Sequence, residues 1–541
     1  MLKKIIVAGL LFTSVNAQEK IPNPIAIGSF GYPLEGNYRF SGNYGEIRPN
    51  HFHSGIDFRT DPVKNLPIHV IDDGYVSRIK IGTNGYGKVL YITHKNGYVS
   101  VYGHEHHFAK KIQDFTYAEQ KKKETFEIEI FPKPEDLPVK KGEVIGYTGN
   151  TGNTTGPHLH FEIRDEKTEV PLNPQLYLEH KDDVAPVCYK MAVYRIHASG
   201  EPYLAKTIDL SGLNKKKDME LKETVIFPPR AGLAFSCFDK ESASGGNNQV
   251  YEIKIYVDTR LIYHHKMNNI PFDHARYVNW YADQHQNVKK EKFQKCFRTG
   301  TNELAIYTQI ANNGLIDISD FSPGEIHIAL VTFADIKGNK SALSFNFKTR
   351  EENGYEDKTY NFNCLKKNEF HLKGMDVTIP EKTLFCDVNF DCKIFKTSSA
   401  NCLGPVYKIH SSNVNVLKGF DVQIAPTAFP KGKEDKLCLL HFEDDMTEMT
   451  YCGGEFKDGK VTGTLKNLGL IAVGIDTVAP KLNRTGVSKK AGNNLSAAKG
   501  IFFNVSDNLS GLGNFRMEIN GKWVLAEYEH KTNTIFYLFT D

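Results

Sequence analysis

Cysteine is missing from the first 187 residues of this 541-residue chain, although nine cysteines follow. No thiolate therefore takes part in a site built by the first third of the chain. Six of the nine lie from Cys364 to Cys452, and the odd total leaves at least one free or paired between chains. Disulfides among the others are compatible with an exported protein, and the sequence leaves their connectivity open.

The chain also lacks a strong excess of charge of either sign. Its formal net charge is +3 over the whole length, with 24% charged and 40% hydrophobic residues, as in ordinary globular proteins. Charge therefore does not indicate a nucleic-acid or membrane partner. The length exceeds what one hydrophobic core supports and predicts about three or four domains.

Long apolar runs are absent, and the one apolar run at the N-terminus is short. Lys3 and Lys4 precede residues 5–12, which are apolar, and small residues follow as far as Ala17. The run has about half of the ~20 residues that a membrane anchor needs, so we expect a cleaved signal peptide at residues 1–17. With no cysteine near the cleavage point, the mature protein is predicted to be exported, periplasmic or extracellular, without a lipid anchor or transmembrane segment.

The rest of the chain has the pattern of β-structure. Residues 88–93 (KVLYIT) and 98–102 (YVSVY) flank a His-Lys-Asn-Gly turn, which predicts a β-hairpin. We expect a mainly β protein, with an antiparallel β-sheet domain at residues 18–180 followed by β-sandwich (Ig-like) modules. The modules are predicted at residues 181–352, at residues 353–474 with most of the cysteines, and at residues 475–541.

A weak internal repeat relates two of these modules. Val-Ala-Pro occurs at residues 184–186 and again at 478–480. The same four residue types follow at the same spacing, as Gly232, Phe235, Asp239, Ser242 and as Gly500, Phe503, Asp507, Ser510. The pattern predicts two related modules that begin near residues 183 and 476. The second is shorter than the first, so we expect that its last strands are missing or that the sequence is truncated.

An insertion interrupts the β pattern of the first domain at residues 108–138. Residues 110–124 are rich in Lys, Gln and Glu, and TFEIEIF follows at residues 125–131. We expect a short helix and a strand here. A charge-rich insertion is usually a solvated decoration, and the alternative is that it gates access to a substrate.

Three short motifs place histidines and one aspartate in the first domain. His53 and Asp57 lie four residues apart in HSGID, where an imidazole and a carboxylate both suit Zn²⁺ and Gly55 lets the backbone bend. His158 and His160 lie two residues apart in PHLHFE. Because residues i and i+2 of a strand share a face, both side chains are expected to point into one cleft.

The third motif, YGH, brings His104 to the end of the predicted hairpin and so to the same cleft. Each motif alone is a weak signal, because a histidine in a strand is more often structural or exposed. As an ordered set they predict a catalytic zinc site, with two histidines and one aspartate on the metal and the fourth position left for water. The remaining histidines are then available as acid, base or oxyanion stabiliser.

From about residue 40 to 178 the chain resembles peptidase family M23, the LytM/lysostaphin-type zinc endopeptidases. The matching segments are SGNYGEIRPNHFHSGIDF, YGKVLYITHKNGYVSVYGH and VKKGEVIGYTGNTGNTTGPHLHFEIR. The resemblance implies a compact antiparallel sheet with a groove bordered by loops. The long insertion departs from the usual pattern and resembles Bacteroidetes-type members, which leaves groove shape and specificity open.

The resemblance also implies roles for five residues. His53, Asp57 and His160 bind one Zn²⁺. His104 and His158 assist catalysis, with His158 taking the proton of the zinc-bound water and His104 stabilising the oxyanion, or with these roles exchanged. Four other histidines lie nearby in the sequence and are expected to lie outside the site, namely His51, His94, His106 and His107.

The predicted function is that of a secreted zinc metalloendopeptidase that hydrolyses peptide bonds in peptidoglycan stems or cross-bridges. One alternative is a non-catalytic cell-wall scaffold or amidase activator, and another is a zinc peptidase that acts on Gly-rich proteins. The C-terminal β modules are expected to orient or localise the peptidase, through the cell wall or a protein partner. The bond that is cut is left open.

Overall fold

The computed structural model describes residues 28–36, 40–240, 246–283, 292–322, 324–350, 360–396, 402–485, 495 and 498–539. The predicted signal peptide at residues 1–17 lies outside the described residues. Strands dominate every part of the described chain, which confirms the mainly β class. No helix among these residues is long and apolar enough to cross a bilayer.

The N-terminal unit, up to residue 180, is built on an antiparallel sheet. Its strands are β1 (Phe40–Gly42), β2 (Ile47–Arg48), β3 (His51–Phe52), β4 (Ile56–Arg59), β5 (Pro67–His69), β6 (Gly74–Ile81), β7 (Lys88–His94), β8 (Tyr98–Gly103), β9 (His107–Phe108), β10 (Ile128–Ile130), β11 (Pro138–Val139), β12 (Val144–Tyr147), β13 (His158–Asp165) and β14 (Pro171–Leu172). The main sheet has the order β1-β4-β13-β8-β7-β6-β10, with β11 on β6 and β14 on β13. A smaller sheet has the order β5-β12-β9, β2 pairs with β3, and a 3-10 turn covers Pro174–Leu176.

The predicted hairpin and the predicted contents of the insertion are confirmed. β7 and β8 pair in antiparallel register. The insertion contains the helix α1 (Lys110–Lys123), which buries Ile112, Thr116 and Gln120 at a spacing of four residues and ends at Glu124 in the left-handed region. It also contains β10, which pairs with β6 at the edge of the main sheet away from β13.

The sheet separates an apolar core from a polar face. Leu159 and Phe161 on β13 are fully buried, as are Ile56 and Phe58 on β4, and all four belong to the core of this unit. Alternate residues of a strand point to opposite sides. The residues between these apolar positions, including Asp57, therefore point to the polar face.

The second unit, at residues 181–350, is a pair of sheets around one core. Its strands are β15 (Val187–Ile196), β16 (Pro202–Asp209), β17 (Asp218–Phe227), β18 (Arg230–Phe238), β19 (Glu252–Val257), β20 (Arg260–Lys266), β21 (Ala282–Asp283), β22 (Phe293–Lys295), β23 (Tyr307–Ile310), β24 (Ile316–Asp317), β25 (His327–Ala334) and β26 (Lys340–Thr349). Short helical segments are α2 (Val278–Tyr281) and the 3-10 turns Phe272–Tyr277, Asn312–Gly314 and Ile318–Asp320. The sheets are β16-β15-β18-β22-β21, with β24 on β18, and β17-β26-β25-β19-β20-β23, in which β17 and β26 are parallel. Phe235 and Phe333 join the two sheets edge to face, with ring centroids 5.3 Å apart.

The third unit, at residues 360–475, is again a pair of sheets. Its strands are β27 (Asn368–Leu372), β28 (Met375–Ile379), β29 (Cys392–Phe395), β30 (Val406–Ile409), β31 (Phe420–Ile424), β32 (Leu437–Phe442), β33 (Met449–Tyr451), β34 (Glu455–Lys457), β35 (Lys460–Leu465) and β36 (Gly469–Ile475), with a 3-10 turn at Glu434–Lys436. They form the sheets β27-β28-β31-β35-β34 and β29-β30-β36-β32-β33. All nine cysteines lie in the described part of the chain, and six of them, from Cys364 to Cys452, belong to this unit.

The C-terminal unit, at residues 476–539, has a smaller sheet. Its strands are β37 (Lys481–Thr485), β38 (Gly500–Ser506), β39 (Glu518–Ile519), β40 (Lys522–Trp523), β41 (Glu527–Glu529) and β42 (Thr534–Leu538), with a 3-10 turn at His530–Thr532. The order is β37-β38-β42-β41, and β39 pairs with β40.

The repeat in the sequence corresponds to a repeated strand pair. After the first Val-Ala-Pro, β15 pairs with β18, and Val187 lies opposite Phe238. After the second, β37 pairs with β38, and the equivalent residues Lys481 and Ser506 lie opposite each other. The two antiparallel pairs therefore begin in the same register, which a β-bulge after Cys188 then shifts in the first pair. Ser242 of the repeat lies outside the described residues.

Candidate metal centre

Three predicted metal ligands meet on the polar face of the main sheet. His53 precedes β4, Asp57 lies within β4, and His160 on β13 is the register partner of Asp57. All three are buried, and one ligand atom from each lies within 4.8 Å of the others. The antiparallel pairing of β4 with β13 thus brings together residues that are 103 positions apart in the sequence.

The atoms that face each other are His53 Nε2, Asp57 Oδ1 and His160 Nδ1. The separations are 3.1 Å from His53 to Asp57, 2.9 Å from Asp57 to His160 and 3.0 Å from His53 to His160. Ligand atoms at about 2.0–2.1 Å from a tetrahedral zinc are about 3.3–3.4 Å apart. The triangle is therefore within a few tenths of an ångström of the size that zinc requires.

The outer nitrogen of each of these imidazoles donates to a fixed acceptor. His53 Nδ1 donates to the backbone carbonyl of Asn43 at 2.8 Å, and His160 Nε2 donates to Glu162 Oε1 at 2.8 Å. Because a neutral imidazole has one N–H, its inner nitrogen then presents a lone pair to the triangle. Acceptors on the outer nitrogen are typical of histidines that bind metals. Both the donor set and its orientation fit a zinc ion.

Electrostatics favour a carboxylate in the triangle. Burial alone would raise the pKa of Asp57, but His53 and the hydrogen bond from His160 hold that pKa well below its ordinary value. Burial alone would lower the pKa of His160, but Asp57 and Glu162 raise it to about 9. A metal ion bound to both side chains would therefore displace a proton from His160.

His104 and His158, the two predicted catalytic histidines, lie beside the triangle. His104 follows β8 with a φ of 63°, and its ring centroid is 4.6 Å from that of His158. His158 Nε2 is 3.5 Å from Asp57 Oδ1. His104 Nδ1 donates to the Thr151 carbonyl at 2.8 Å, and His158 Nδ1 donates to the Gly156 carbonyl at 2.8 Å. Both rings therefore carry their lone pair on Nε2.

Both of these histidines are neutral at neutral pH. Burial, together with the neighbouring His158 and His160, lowers the pKa of His104 to about 3. Burial also lowers the pKa of His158, although Asp57 opposes the shift. A neutral imidazole with a free lone pair can accept a proton from water.

A buried network behind His160 was not identified from the sequence. Glu162 Oε1 accepts from Ser54 Oγ and Tyr86 Oη, at 2.5 Å each, and its Oε2 accepts from Arg164 Nε at 2.6 Å. The Tyr86 ring also stacks on His160, with centroids 5.0 Å apart. Burial alone would raise the pKa of Glu162, but Arg164 and His160 hold it well below its ordinary value. The sequence signal that could have identified this network is the period of the strand, since residues 160, 162 and 164 share one face of β13.

Gly55 has a different role from the bend that the sequence suggested. A Cβ at this position would lie 2.2 Å from the carbonyl oxygen of Phe161. Glycine therefore permits the close approach of the His53 loop to β13, and the meeting of the predicted metal ligands on these two segments depends on that approach.

The other nearby histidines make separate contacts. His51 is exposed, and its Nδ1 lies 2.8 Å from the Pro49 carbonyl. His106 and His107 contact each other through their Nδ1 atoms at 2.7 Å. His94 is buried at the end of β7. None of these residues contributes an atom to the triangle described above.

Two segments of the chain match family models. Residues 51–121 and 132–174 match the model described as Peptidase family M23, and the gap between them falls inside the predicted insertion. Residues 359–476 match the model described as Zu5-like domain. The first match contains the whole triangle together with His104 and His158.

The chain is also similar to known proteins over part of its length. It is 33% identical over 122 residues to the DD-carboxypeptidase/endopeptidase Mpg of Neisseria meningitidis serogroup B, which covers 23% of this chain and 22% of that protein. It is 29% identical over 140 residues to the peptidoglycan DD-endopeptidase ShyA of Vibrio cholerae, which covers 24% and 26%. A solved zinc-containing peptidase from Vibrio cholerae is 24% identical, covering 30% of this chain and 41% of that one, with a TM-score of 0.21. The chain thus spans about a quarter of the length of these curated relatives.

Proposed function

We propose that this chain, which carries a domain of peptidase family M23 at residues 51–121 and 132–174, is a zinc-dependent endopeptidase that cuts the peptides of peptidoglycan. The observation that carries the proposal is the triangle of His53 Nε2, Asp57 Oδ1 and His160 Nδ1, 2.9–3.1 Å apart. Zinc bound by these side chains would lower the pKa of a bound water and polarise the scissile carbonyl.

His158 takes the proton of the attacking water in this proposal. Its Nε2 carries a lone pair 3.5 Å from Asp57 Oδ1, and its side chain is 15% exposed, against 2% for His53 and 4% for His160. It is therefore more accessible to substrate than these two metal ligands. Once protonated, the same ring can donate the proton to the leaving amine.

His104 orients the attacking water as a second acceptor. Its Nδ1–H donates to the Thr151 carbonyl, and its pKa of about 3 keeps the ring neutral. Stabilising an oxyanion would require an N–H at Nε2, which this tautomer lacks. We therefore favour hydrogen-bond acceptance over oxyanion stabilisation as the role of His104.

Peptidoglycan is the proposed substrate because the Vibrio cholerae relative is named a peptidoglycan DD-endopeptidase. Export of the chain, through the predicted signal peptide, would give access to that substrate. The Zu5-like and other β units would orient or localise the peptidase, through the cell wall or a protein partner.

The test is mass spectrometry of the fragments released from purified sacculi. Zn²⁺-loaded wild type is expected to release peptides, and a chelator is expected to stop the release. His160→Ala removes one of three metal ligands and is expected to lower the release at least about a hundredfold. His51→Ala, exposed in the same region, is the control and should stay within about twofold of wild type.

Equal release by wild type and His160→Ala would contradict the assignment of His160. Cleavage of a Gly-rich protein while sacculi stay intact would favour the other substrate class. Binding to sacculi without release of any fragment would favour the scaffold function.

A further inference from the structure

The segment at residues 43–52 belongs to the core of the second unit as much as to the N-terminal unit. Tyr44, Ile47 and Phe52 are buried in the cluster formed by the second unit rather than in the core beneath the main sheet. The Phe52 ring packs against Tyr281, with centroids 5.5 Å apart. The second unit therefore fixes the segment that leads into the first metal ligand.

Asn43 connects the two units through a pair of hydrogen bonds. Its Nδ2 donates to the carbonyl of Gln249 at 2.9 Å, and the backbone N–H of Gln249 donates to its Oδ1 at 2.8 Å. Both residues are buried. A side-chain amide that is hydrogen-bonded at both ends to the backbone of one residue has a fixed position and plane.

The same Asn43 holds His53. Its backbone carbonyl accepts the hydrogen bond from His53 Nδ1 at 2.8 Å, the bond that turns His53 Nε2 toward Asp57 and His160. The carbonyl of His53 in turn accepts from the N–H of Gly45 at 2.9 Å. A shift of Asn43 would therefore rotate or displace the imidazole that binds the metal.

A second link runs from the second unit to Asp57. Arg48 donates from Nη2 to Asp57 Oδ2 at 2.5 Å, leaving Oδ1 for the triangle. The carbonyl of Ile47, next to Arg48 in the chain, accepts from Lys292 Nζ of the second unit at 2.6 Å. The orientation of the carboxylate thus also depends on a contact made outside the N-terminal unit.

We propose that the second unit is a structural part of the metal centre, and that Asn43, bonded to Gln249, is a positioning residue for His53. The inference rests on the proposed function, since it assigns a role toward the zinc of the same site. Residues that hold the outer nitrogen of a histidine ligand typically change metal affinity by about 10–100-fold when they are removed. The backbone of Gln249 fixes Asn43, and Asn43 in turn orients His53.

The experiment compares Asn43→Ala with Asn173→Ala in the full-length chain. Asn173 is a matched control because it is also buried and its Nδ2 donates across the same interface, to the Met267 carbonyl at 2.9 Å. Zn²⁺ affinity is measured by competition with a chelator, and thermal melts report folding. Asn43→Ala is expected to raise the Kd for Zn²⁺ at least about tenfold, and Asn173→Ala to leave it within about twofold.

Two further readouts separate positioning from loss of structure. The visible absorption of the Co²⁺-loaded protein reports ligand geometry, and it is expected to change in Asn43→Ala but not in Asn173→Ala. Lys292→Met removes the donor to the Ile47 carbonyl from the other side of the interface. It is expected to raise the Kd for Zn²⁺ at least about threefold, and it tests the proposal if Asn43→Ala does not fold.

A Zn²⁺ affinity that is unchanged in Asn43→Ala, or lowered equally in Asn43→Ala and Asn173→Ala, would overturn the proposal. A wild-type chain that binds Zn²⁺ tightly but leaves sacculi intact would contradict the proposed function, whereas the role of Asn43 would still be decided by the affinities. A wild-type chain that binds no Zn²⁺ would contradict both.

Discussion

The Glu162 carboxylate connects the residues behind His160. It accepts hydrogen bonds from Ser54, Tyr86 and Arg164, and from the outer nitrogen of His160. An ionised acceptor at that nitrogen raises the basicity of the imidazole and fixes its orientation. Glu162 is therefore expected to act on metal binding without touching the triangle itself.

Replacing Glu162 by Gln tests this effect of charge. Glutamine has a similar size but no negative charge, so His160 becomes a weaker ligand. We expect the Kd for Zn²⁺ to rise by about 10–100-fold, measured by chelator competition. Glu166→Gln, on an exposed residue just beyond β13, serves as the control. An unchanged affinity in Glu162→Gln would show that the charge plays no part.

Glu105, directly after His104, is a carboxylic acid whose burial is not offset by hydrogen bonds among the described residues. It is fully buried, and among the described residues neither of its carboxyl oxygens has a hydrogen-bond partner. Burial raises the pKa of Glu105 well above its ordinary value, although the nearby Lys88 opposes the shift. The folded protein therefore holds a proton on Glu105 at a pH where the unfolded chain has lost it.

The stability of the wild type is consequently expected to fall as pH rises from about 4.5, the ordinary pKa in the unfolded chain, toward the raised pKa of the folded state. Glu105→Gln removes this titratable group and therefore the pH dependence of stability that the group causes. The folding equilibrium of the variant should improve relative to wild type by up to about tenfold per pH unit in that window. Urea unfolding of both proteins at several pH values measures the difference. Parallel pH profiles would contradict a buried, protonated Glu105.

At the scale of elements, the parts of the site with local patterns could be predicted. The alternation around His158 and His160 predicts a strand, and β13 begins at His158. The hairpin of β7 and β8 and the helix at residues 110–123 follow from equally local signals. The contacts of Asn43 with Gln249 could not be predicted, because they join residues 206 positions apart through a loop without a period.

The loop at residues 148–156 is held close to the turn between β6 and β7. Gly152 has a φ of 74°, and a Cβ there would lie 2.3 Å from the Gly85 carbonyl oxygen and 2.4 Å from the Gly87 nitrogen. The preceding Thr151 supplies the carbonyl that accepts from His104. Glycine at 152 therefore places the carbonyl group that orients His104.

Gly152→Ala is expected to push this loop outward and misplace His104. Activity on sacculi should fall by about 10–100-fold in kcat, since small displacements of catalytic groups have large effects. The Kd for Zn²⁺ should stay within about threefold, because the triangle is built elsewhere. Gly85→Ala is the control, as Gly85 also has a positive φ, 60°, but open space around a Cβ. Equal losses in the two variants would point to backbone strain alone.

At the scale of the whole molecule, the C-terminal unit folds back on the N-terminal unit. Lys88 pairs with Glu527 at 2.9 Å, Arg516 pairs with Glu124 at the end of α1 at 2.6 Å, and Lys531 donates to the Asn150 carbonyl. Phe515 and Leu525 pack against the core beneath the main sheet. These contacts join residues up to 439 positions apart, and no local pattern in the sequence predicts them. The insertion thus provides part of the surface on which the C-terminal unit docks.

Reversal of one charge tests this docking. Glu124→Arg places two cations together and is expected to speed hydrogen exchange in β38 and β42, measured by mass spectrometry. The double variant with Arg516→Glu restores an opposite pair and should return the exchange toward wild type. The difference should shrink in about 0.5 M salt, because both side chains are half exposed. If neither Glu124→Arg nor the double variant changes the hydrogen exchange, the apolar contacts rather than this ion pair hold the two units together.

The burial of residues 43–52 in the second unit also decides which fragments of this chain can be transplanted into other proteins. A chimera that borrowed only residues 18–180 as a catalytic cassette would present Tyr44, Ile47 and Phe52 to water as an unfilled apolar face. Such a fragment would be prone to aggregation, and its triangle of His53, Asp57 and His160 would be held less firmly. Fusion junctions belong after residue 350, so that the transplanted piece carries its own scaffold.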